Sequence, residues 1–469
     1  MTNIPRILLT APASGAGKTM ITCGILSALK KRGIKTAAFK CGPDYIDPMF
    51  HREVLGVDSF NLDPFLCRRE NLTSLLISHA GTKEMAVIEG VMGYYDGLGG
   101  ISTKASAYEV ADATSSPAVL IVDGKGASVS ILPVIQGFLN YRVEETKNSH
   151  IEGVILNRIS PMMYGRLKEL IEQETNIKVY GYVPVMKDFT LESRHLGLKM
   201  PGEIEGIRKK LDELGERMSK TVDIDGLTAL SQSASDLRKD LMQGKSNKIK
   251  KKNGYPIRIG VAMDEAFCFI YRDNLEIIEK MGAEIVSFSP VHDQNLPEDL
   301  DGLLLYGGYP ELYAKELAFN ESMRKDIKKA LESGLVCMAE CGGFQYLQQY
   351  LQDESGTRYE MCGFLPGGSY HTSSLKRFGY VTLSDGKVFG RDVGKIPAHE
   401  FHYYDSENCG TDFCAEKPLS ERRWDCVVST DTLFAGYPHI HYAGNPMVAE
   451  AFLEACKNKT SERNKKIHE

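Results

Sequence analysis

Residues 1–200 alternate short apolar runs of strand length with helical patterns. Arg6–Ala11, Thr36–Lys40, Met85–Glu89, Ala118–Asp123 and Gly153–Asn157 read as buried strands, and Lys18–Arg32 and Tyr164–Thr175 as helices between them. That alternation predicts a parallel, doubly wound α/β sheet, whose ligands bind at the carboxyl ends of the strands. Residues 202–243 are polar and helical in pattern, interrupted by Gly206, Gly215 and Gly226, and the basic run KSNKIKKKNG (245–254) reads as a solvated linker. A second α/β pattern begins at Pro256, with strands expected at 258–263, 283–288, 301–306 and 334–339. The last dozen residues are polar and read as a frayed tail.

Composition narrows the function classes. Apolar residues make up 42% and charged residues 25% of the 469, as in a soluble globular protein. The net charge of −6 gives no basic footprint for nucleic acid. No apolar run reaches the ~18 residues of a membrane span. The opening MTNIPRILLT has too short an apolar stretch for a signal peptide and starts with Met1, so no targeting segment is expected and the location read here is cytoplasmic. The 11 cysteines show no C-x-x-C pair and read as reduced thiols. Small-molecule substrates are the expected partners, with a homodimer as an open expectation.

Ala11–Thr19 (APASGAGKT) joins the first strand to the first helix. It matches the end of a P-loop, with Pro12 where the first glycine stands in the pattern. Gly15 and Gly17 let backbone N–H groups turn inward around phosphate oxygens, with Ser14 beside them as a binding candidate, and the helix N-terminus adds positive partial charge. Lys18 reaches terminal phosphates and the Thr19 hydroxyl binds Mg²⁺. Carboxylates to hold that ion follow predicted strands: Asp44 and Asp47 beside Tyr45, then Glu89, then Asp96. Thr19, Asp47 and Glu89 are the candidate metal shell, and Asp44, Tyr45 and Asp96 are further candidates for the acidic site. Asn157 and Arg158 are placed to border the nucleotide base.

A second chemistry lies in 336–344, where strand, sharp turn and helix surround Ala339-Glu340-Cys341-Gly342-Gly343. The form Ala-x-Cys-x-Gly parallels the G-x-S-x-G nucleophile elbow. It exposes the Cys341 thiol at a helix N-terminus expected to lower its pKa. The N–H of Gly342 and a donor from the Gly307-Gly308 turn would form an oxyanion hole. The thiol needs a general base, and the histidines available are His371, His399, His402, His439 and His441. His399-Glu400-Phe401-His402 is one residue short of the zincin H-E-x-x-H, which excludes that metalloprotease reading. Spacing alone does not choose between His399 and His439.

Taken in order, APASGAGKT (11–19), KCGPDYIDPMFH (40–51), VIEGVMGYYDG (87–97), GVILNR (153–158), ESRHLGL (192–198), YGGYPE (306–311), AECGGFQYL (339–347), HEFHY (399–403) and PHIHYAGNP (438–446) resemble the cobyrinate a,c-diamide synthases, from about residue 6 to 455. The resemblance implies a dethiobiotin-synthetase-like P-loop domain, expected over 1–200, with the polar helical stretch over 201–255 read as a linker after it. It implies a class I glutamine amidotransferase domain over 256–457, with a tail over 458–469. It also implies a ligase of cobalamin biosynthesis that uses MgATP to activate the a- and c-carboxylates of a cobyrinate-type macrocycle as acyl phosphates. Ammonia from L-glutamine then displaces phosphate. By resemblance Cys341 is the nucleophile and His439 its activating histidine, with Pro438 in place of the family's Leu and His441 as an alternative. A Cys–His dyad is implied, since no acid stands two residues after His439. Hydrogenobyrinate and nickel-sirohydrochlorin a,c-diamide synthases share the layout. A P-loop regulatory ATPase with an inactive second module is the alternative from another class, against which the Cys341 elbow argues.

Overall fold

Aliphatic runs build the first sheet in the computed structural model: β1 (Arg6–Thr10), β2 (Thr36–Cys41), β3 (Ser59–Leu62), β4 (Met85–Glu89), β5 (Ala118–Asp123), β6 (Ile151–Asn157) and β7 (Lys178–Val183). The order is β3-β2-β4-β1-β5-β6-β7, with every pairing parallel. β1 to β4 are buried at every position, which explains why they read as unbroken apolar runs: helices cover both faces. Those helices are α1 (Lys18–Lys31), α2 (Ile46–Met49, continued by a π-turn over Phe50–Val54), α3 (Leu72–Ala80), α4 (Ala107–Thr114), α5 (Ile131–Asn140) and α6 (Pro161–Thr175). The structure describes residues 2–141, 143, 148–186, 193–194, 197–198, 200–238, 249 and 255–468. They divide into two compact units, Met1–Met242 and Gln243–Glu469.

The stretch from 201 differs from the expected linker. Its helices α7 (Ile207–Thr221) and α8 (Ile224–Gln232) belong to the first unit. Leu211, Leu214 and Met218 form an apolar stripe at helical spacing and are buried. A Cβ on Gly24 of α1 would lie 2.1 Å from Met218 Sδ, and one on Gly215 of α7 would lie 2.5 Å from Ser27 Oγ. Small residues on both helices therefore permit the close approach that buries α1 on all sides. The segment that follows α8 is tied down by Arg6, whose Nη2 donates to Ser235 O at 2.7 Å. The basic run 245–254 lies outside the described residues except Ile249, and of 192–198 only Ser193–Arg194 (β8) and Gly197–Leu198 (β9) are described, as an antiparallel pair.

In the second unit β10 (Ile257–Ala262), β11 (Ala283–Phe288), β12 (Gly302–Leu305) and β13 (Val336–Glu340) form a parallel sheet. Its connections carry α9 (Arg272–Lys280), α10 (Ala314–Phe319) and α11 (Glu321–Glu332), and α12 (Gly342–Leu347) leaves its last strand. An unanticipated second sheet follows, made of β14 (Tyr350–Gln352), β15 (Arg358–Glu360), β16 (Gly368–Ser384), β17 (Ile396–Ser406), β18 (Phe413–Glu416) and β19 (Arg423–Cys426). The chain then returns through β20 (Val428–Ser429) and β21 (Leu433–Gly436), which extend the parallel sheet of this unit beyond β13, and β22 (His439–Ile440), which pairs with β17. Along β13, Val336 and Met338 enter one core with Val381 and Ile396 of the second sheet. Cys337 and Ala339 enter the opposite core with the helices, as strand alternation requires. The expected tail instead continues helix α13 (Pro446–His468). Among the described residues no helix is long and apolar enough to cross a membrane.

Candidate functional site

The loop after β1 turns through Gly15 and Gly17, with φ of +76° and +92°. Gly17 is doubly constrained: its φ is left-handed and a Cβ there would sit 2.4 Å from Asn157 Nδ2. The Asn157 amide donates to Ala16 O at 2.8 Å, fastening the end of β6 to the loop. Lys18 folds along the loop and donates to Ala13 O at 3.1 Å and Met92 O at 2.5 Å. Burial, with Lys40 adding to it, lowers the Lys18 ammonium to about 8. Ser14 is exposed at the loop crest.

Behind the loop the structure brings the candidate metal shell together. The Thr19 hydroxyl lies 2.6 Å from Glu89 Oε1 and 3.3 Å from Asp47 Oδ2. Two residues the sequence reading did not single out complete this cluster. Lys40 Nζ donates to Glu89 Oε1 at 2.8 Å and ion-pairs with Asp47, while His51 Nε2 lies 3.4 Å from Glu89 Oε2. Burial opposes charge on Glu89, but Lys40 and His51 overcome it and hold the carboxyl well below its ordinary range. Asp47 moves the other way, raised by burial and then by Asp44. For Lys40, burial is outweighed by Asp47 and Glu89, so its ammonium is held well above normal. A lysine inside the buried strand β2, just before an acidic loop, was the available signal.

These residues fit Mg²⁺. Three oxygens from Thr19, Asp47 and Glu89 converge, and Glu89 Oε2 is buried with no hydrogen-bond partner. Among the described residues no cluster offers three or more His, Cys, Asp or Glu ligands. The remaining ligands of a divalent ion here would have to be phosphate oxygens and water, as Mg²⁺ prefers.

Asp44 and Asp96 make local contacts. Asp44 Oδ1 accepts from the N–H of Ile46 at 2.8 Å and of Asp47 at 3.3 Å, starting α2, and Asp96 Oδ2 accepts from Gly93 N at 2.9 Å. Asp44 is partly exposed and Asp96 exposed, and Tyr45 is largely buried between Asp44 and α2. On the other side of the P-loop a cleft of about 390 Å³ is bordered by Ser14, Gly15, Asp123, Ile131, Val134 and Arg158. Arg158 makes a two-pronged pair with Asp123, Nε to Oδ1 at 2.7 Å, and also donates to Gly15 O at 3.1 Å. Asn157, by contrast, is buried under the loop rather than in the cleft.

In the second unit Cys341 sits between β13 and α12 at φ 48°, ψ −105°, a conformation that turns its side chain out of the sheet. Gly343 allows the turn because a Cβ there would lie 2.0 Å from Leu305 O. The Gly307-Gly308 turn after β12 approaches the elbow, and a Cβ on Gly342 would sit 3.3 Å from Gly308 N. A Cβ on Gly307 would meet His439 Cε1 at 2.5 Å, His439 Nε2 at 3.4 Å and Cys341 Cβ at 3.3 Å. Thus Cys341 Cβ and the His439 ring border one small space at Gly307, and Gly308 N approaches Gly342 beside it.

One expectation is corrected. Burial raises the Cys341 thiol pKa, Glu311 adds to the rise, and the Gly342 N–H offsets only part of it. Among the other histidines, His441 is engaged elsewhere: its Nε2 lies 3.6 Å from Asp273 Oδ2, and its Nδ1 accepts from Ala443 N at 3.3 Å. His399 pairs with His439 across β17 and β22, and burial, reinforced by His439, lowers its pKa to about 3. His402 is held between Glu400 Oε2 at 2.9 Å and Tyr404 O at 2.6 Å. His439 itself faces Glu340 Oε2 through Nδ1 at 3.6 Å.

Residues 7–198 match the CobQ/CobB/MinD/ParA nucleotide binding domain, and residues 258–447 match the CobB/CobQ-like glutamine amidotransferase domain. Three proteins named cobyrinate a,c-diamide synthase are similar over almost their entire length. That of Caldanaerobacter subterraneus subsp. tengcongensis is 37% identical over 456 residues, covering 96% of this chain and 98% of its own. The Listeria innocua protein is 39% identical over 463 residues, covering 96% and 99%. The Thermoplasma volcanium protein is 34% identical over 459 residues, covering 97% of each.

Proposed function

The chain belongs to the cobyrinate a,c-diamide synthase family, and from that premise we propose that it amidates the a- and c-carboxylates of cobyrinate with ammonia from glutamine and energy from ATP. The observation that carries this reading is the meeting of Cys341, His439 and the two glycine turns around one space. It is joined in the same chain to a P-loop backed by Thr19, Asp47 and Glu89.

In the second unit the buried thiol is a poor nucleophile until His439 Nε2 takes its proton. The thiolate attacks the glutamine carboxamide, and the N–H groups of Gly308 and Gly342 receive the developing oxyanion. His439 returns the proton to the departing ammonia, and water then releases glutamate from the thioester. In the first unit the P-loop N–H groups and Lys18 bind the terminal phosphates of ATP, with the base in the cleft beside Arg158. A carboxylate oxygen of the ring attacks the γ-phosphorus, ADP leaves and an acyl phosphate forms; ammonia then attacks its carbonyl carbon and displaces inorganic phosphate to give the amide. Thr19, Asp47 and Glu89 would hold Mg²⁺, which supplies charge neutralisation between the two anions when bound. Asp44, Tyr45 and Asp96, at the same edge of the sheet, are assigned to the ring. We place the synthetase function on residues 1–242, because α7 and α8 complete its packing, and the glutaminase on 243–469. A cytoplasmic setting suits a chain whose eleven cysteines are all free thiols.

The test is product mass after incubation with MgATP, glutamine and either cobyrinate, hydrogenobyrinate or nickel-sirohydrochlorin. Diamide from cobyrinate is expected. Diamide from another ring alone would move the substrate, and no amide from any ring would reject the synthetase reading.

A further inference from the structure

Resting on that glutaminase reading, we propose that Glu340, the residue immediately before the nucleophile, is the acid of a Cys341–His439–Glu340 triad and acts by positioning and charging His439. An acid is missing from the place two residues after His439, but the fold supplies one from the strand before the elbow. Glu340 ends β13 on the face that carries Val336 and Met338, whereas Cys341 packs in the opposite core. The sharp backbone at Cys341 therefore puts two consecutive side chains on different sides of the turn, and the imidazole of His439 lies between them. Its Nδ1 is 3.6 Å from Glu340 Oε2, while its Nε2 faces the space shared with Cys341 Cβ at Gly307. That is the order acid–imidazole–nucleophile that such catalysis requires, whatever the order of residues in the chain.

The surroundings favour this role over a purely structural one. Glu340 is 2% exposed, and its Oε1 is buried with no hydrogen-bond partner. Burial raises the carboxyl, while His439, the Ile440 N–H and His441 draw it back down. Tyr306, Tyr442 and the Cys341 thiol are the other titratable groups facing it, and His441 is balanced by Asp273. A buried carboxylate beside Nδ1 fixes the tautomer with its proton on Nδ1, leaving Nε2 to accept from the thiol. When the thiol proton moves to Nε2, the imidazolium formed is stabilised by the same carboxylate. This offsets the burial that otherwise keeps Cys341 protonated.

The experiment compares Glu340→Gln, Glu340→Asp and Cys341→Ala in the full chain. Three readouts are taken: glutamine hydrolysis, ammonia-driven amidation, and the pH dependence of Cys341 alkylation by iodoacetamide, in which the thiolate displaces iodide. Glu340→Gln keeps the shape and removes the charge. Its kcat for glutamine should fall about a hundredfold, at the low end of an acid–base partner's contribution, with KM little changed and ammonia-driven amidation intact. Alkylation at neutral pH should fall in parallel, its midpoint moving to higher pH, and Glu340→Asp should recover part of both. Parent-like kcat and alkylation in Glu340→Gln would overturn the proposal. If that variant does not fold, a parent-like alkylation profile in Glu340→Asp with its displaced carboxylate would do so. Glutaminase activity surviving in Cys341→Ala would instead reject the nucleophile assignment.

Discussion

Lys40 Nζ lies 2.8 Å from Glu89 Oε1 and also ion-pairs with Asp47, so one buried ammonium joins the two carboxylates assigned to the metal. This lysine supplies the positive charge that the two acids need in order to remain buried. Removing it strands them, and an uncompensated buried charge costs about 3–5 kcal/mol. Lys40→Met is therefore expected to lower the melting temperature of the first unit markedly. Stability equal to the parent would mean that the cluster is held by something other than this pair.

Glu89→Gln separates chemistry from folding. The amide keeps the size but loses one charge-stabilising contact in phosphoryl transfer, commonly worth ~10²–10³ in rate. Amidation should fall by that factor with glutamine and with ammonia alike, while glutamine hydrolysis persists. Ammonia-driven turnover near the parent rate would remove Glu89 from the metal shell. The same pair of proteins has a pH signature. Because Glu89 is held below its unfolded pKa of ~4.3, its stabilisation is fully present above that value and is lost as pH falls below it. The stability gap between parent and Glu89→Gln should therefore narrow with acidification, as read from melting curves between neutral pH and the acid limit of folding.

Asp44 and Asp96 make a sharper test than their sequence positions suggested, because each also supports a turn. An asparagine oxygen can still accept the N–H bonds of Ile46 and Asp47, so Asp44→Asn preserves the start of α2. A change in product pattern, with mono-amide accumulating, would then report on the ring rather than on the loop. Asp96→Asn is expected to behave likewise. Normal diamide at the normal rate from both variants would take these residues away from the substrate.

Much of this architecture was legible because its signals are local. Buried parallel strands read as short apolar runs, and P-loop and elbow are contiguous in the chain. What escaped depends on distance in sequence. Lys40 and His51 meet Glu89 only once β2 and β4 are paired, and Glu340 meets His439 only when β22 comes back to β13's carboxyl end. The second sheet was missed because β16 and β17 carry mixed exposure and two register shifts, which blur strict alternation. α7 read as linker because its polar surface outweighs a stripe whose target, Gly24, is revealed only by packing. The thiol pKa was misjudged since a helix start is visible in sequence and burial is not.

The choice between the two histidines of 439–441 can be settled by splitting the two nitrogen sources. His439 shares the space at Gly307 with Cys341, whereas the His441 ring is fully buried with Asp273 and lies tilted against Tyr271, 4.9 Å between ring centres. His439→Asn removes the proton acceptor for the thiol. Glutamine-driven amidation should fall by ~10²–10⁴, the usual contribution of a general base, while high ammonia restores synthesis because the P-loop unit is untouched. Cys341→Ala should give the same split. His441→Asn instead disturbs a buried polar pair, so its main effect should be a lower melting temperature, with kcat for glutamine retained in the folded fraction. Measuring both nitrogen sources and thermal melting on the three variants separates catalysis from packing. A folded His439→Asn protein that hydrolyses glutamine at the parent rate, alongside an inactive but equally folded His441→Asn protein, would transfer the base to His441.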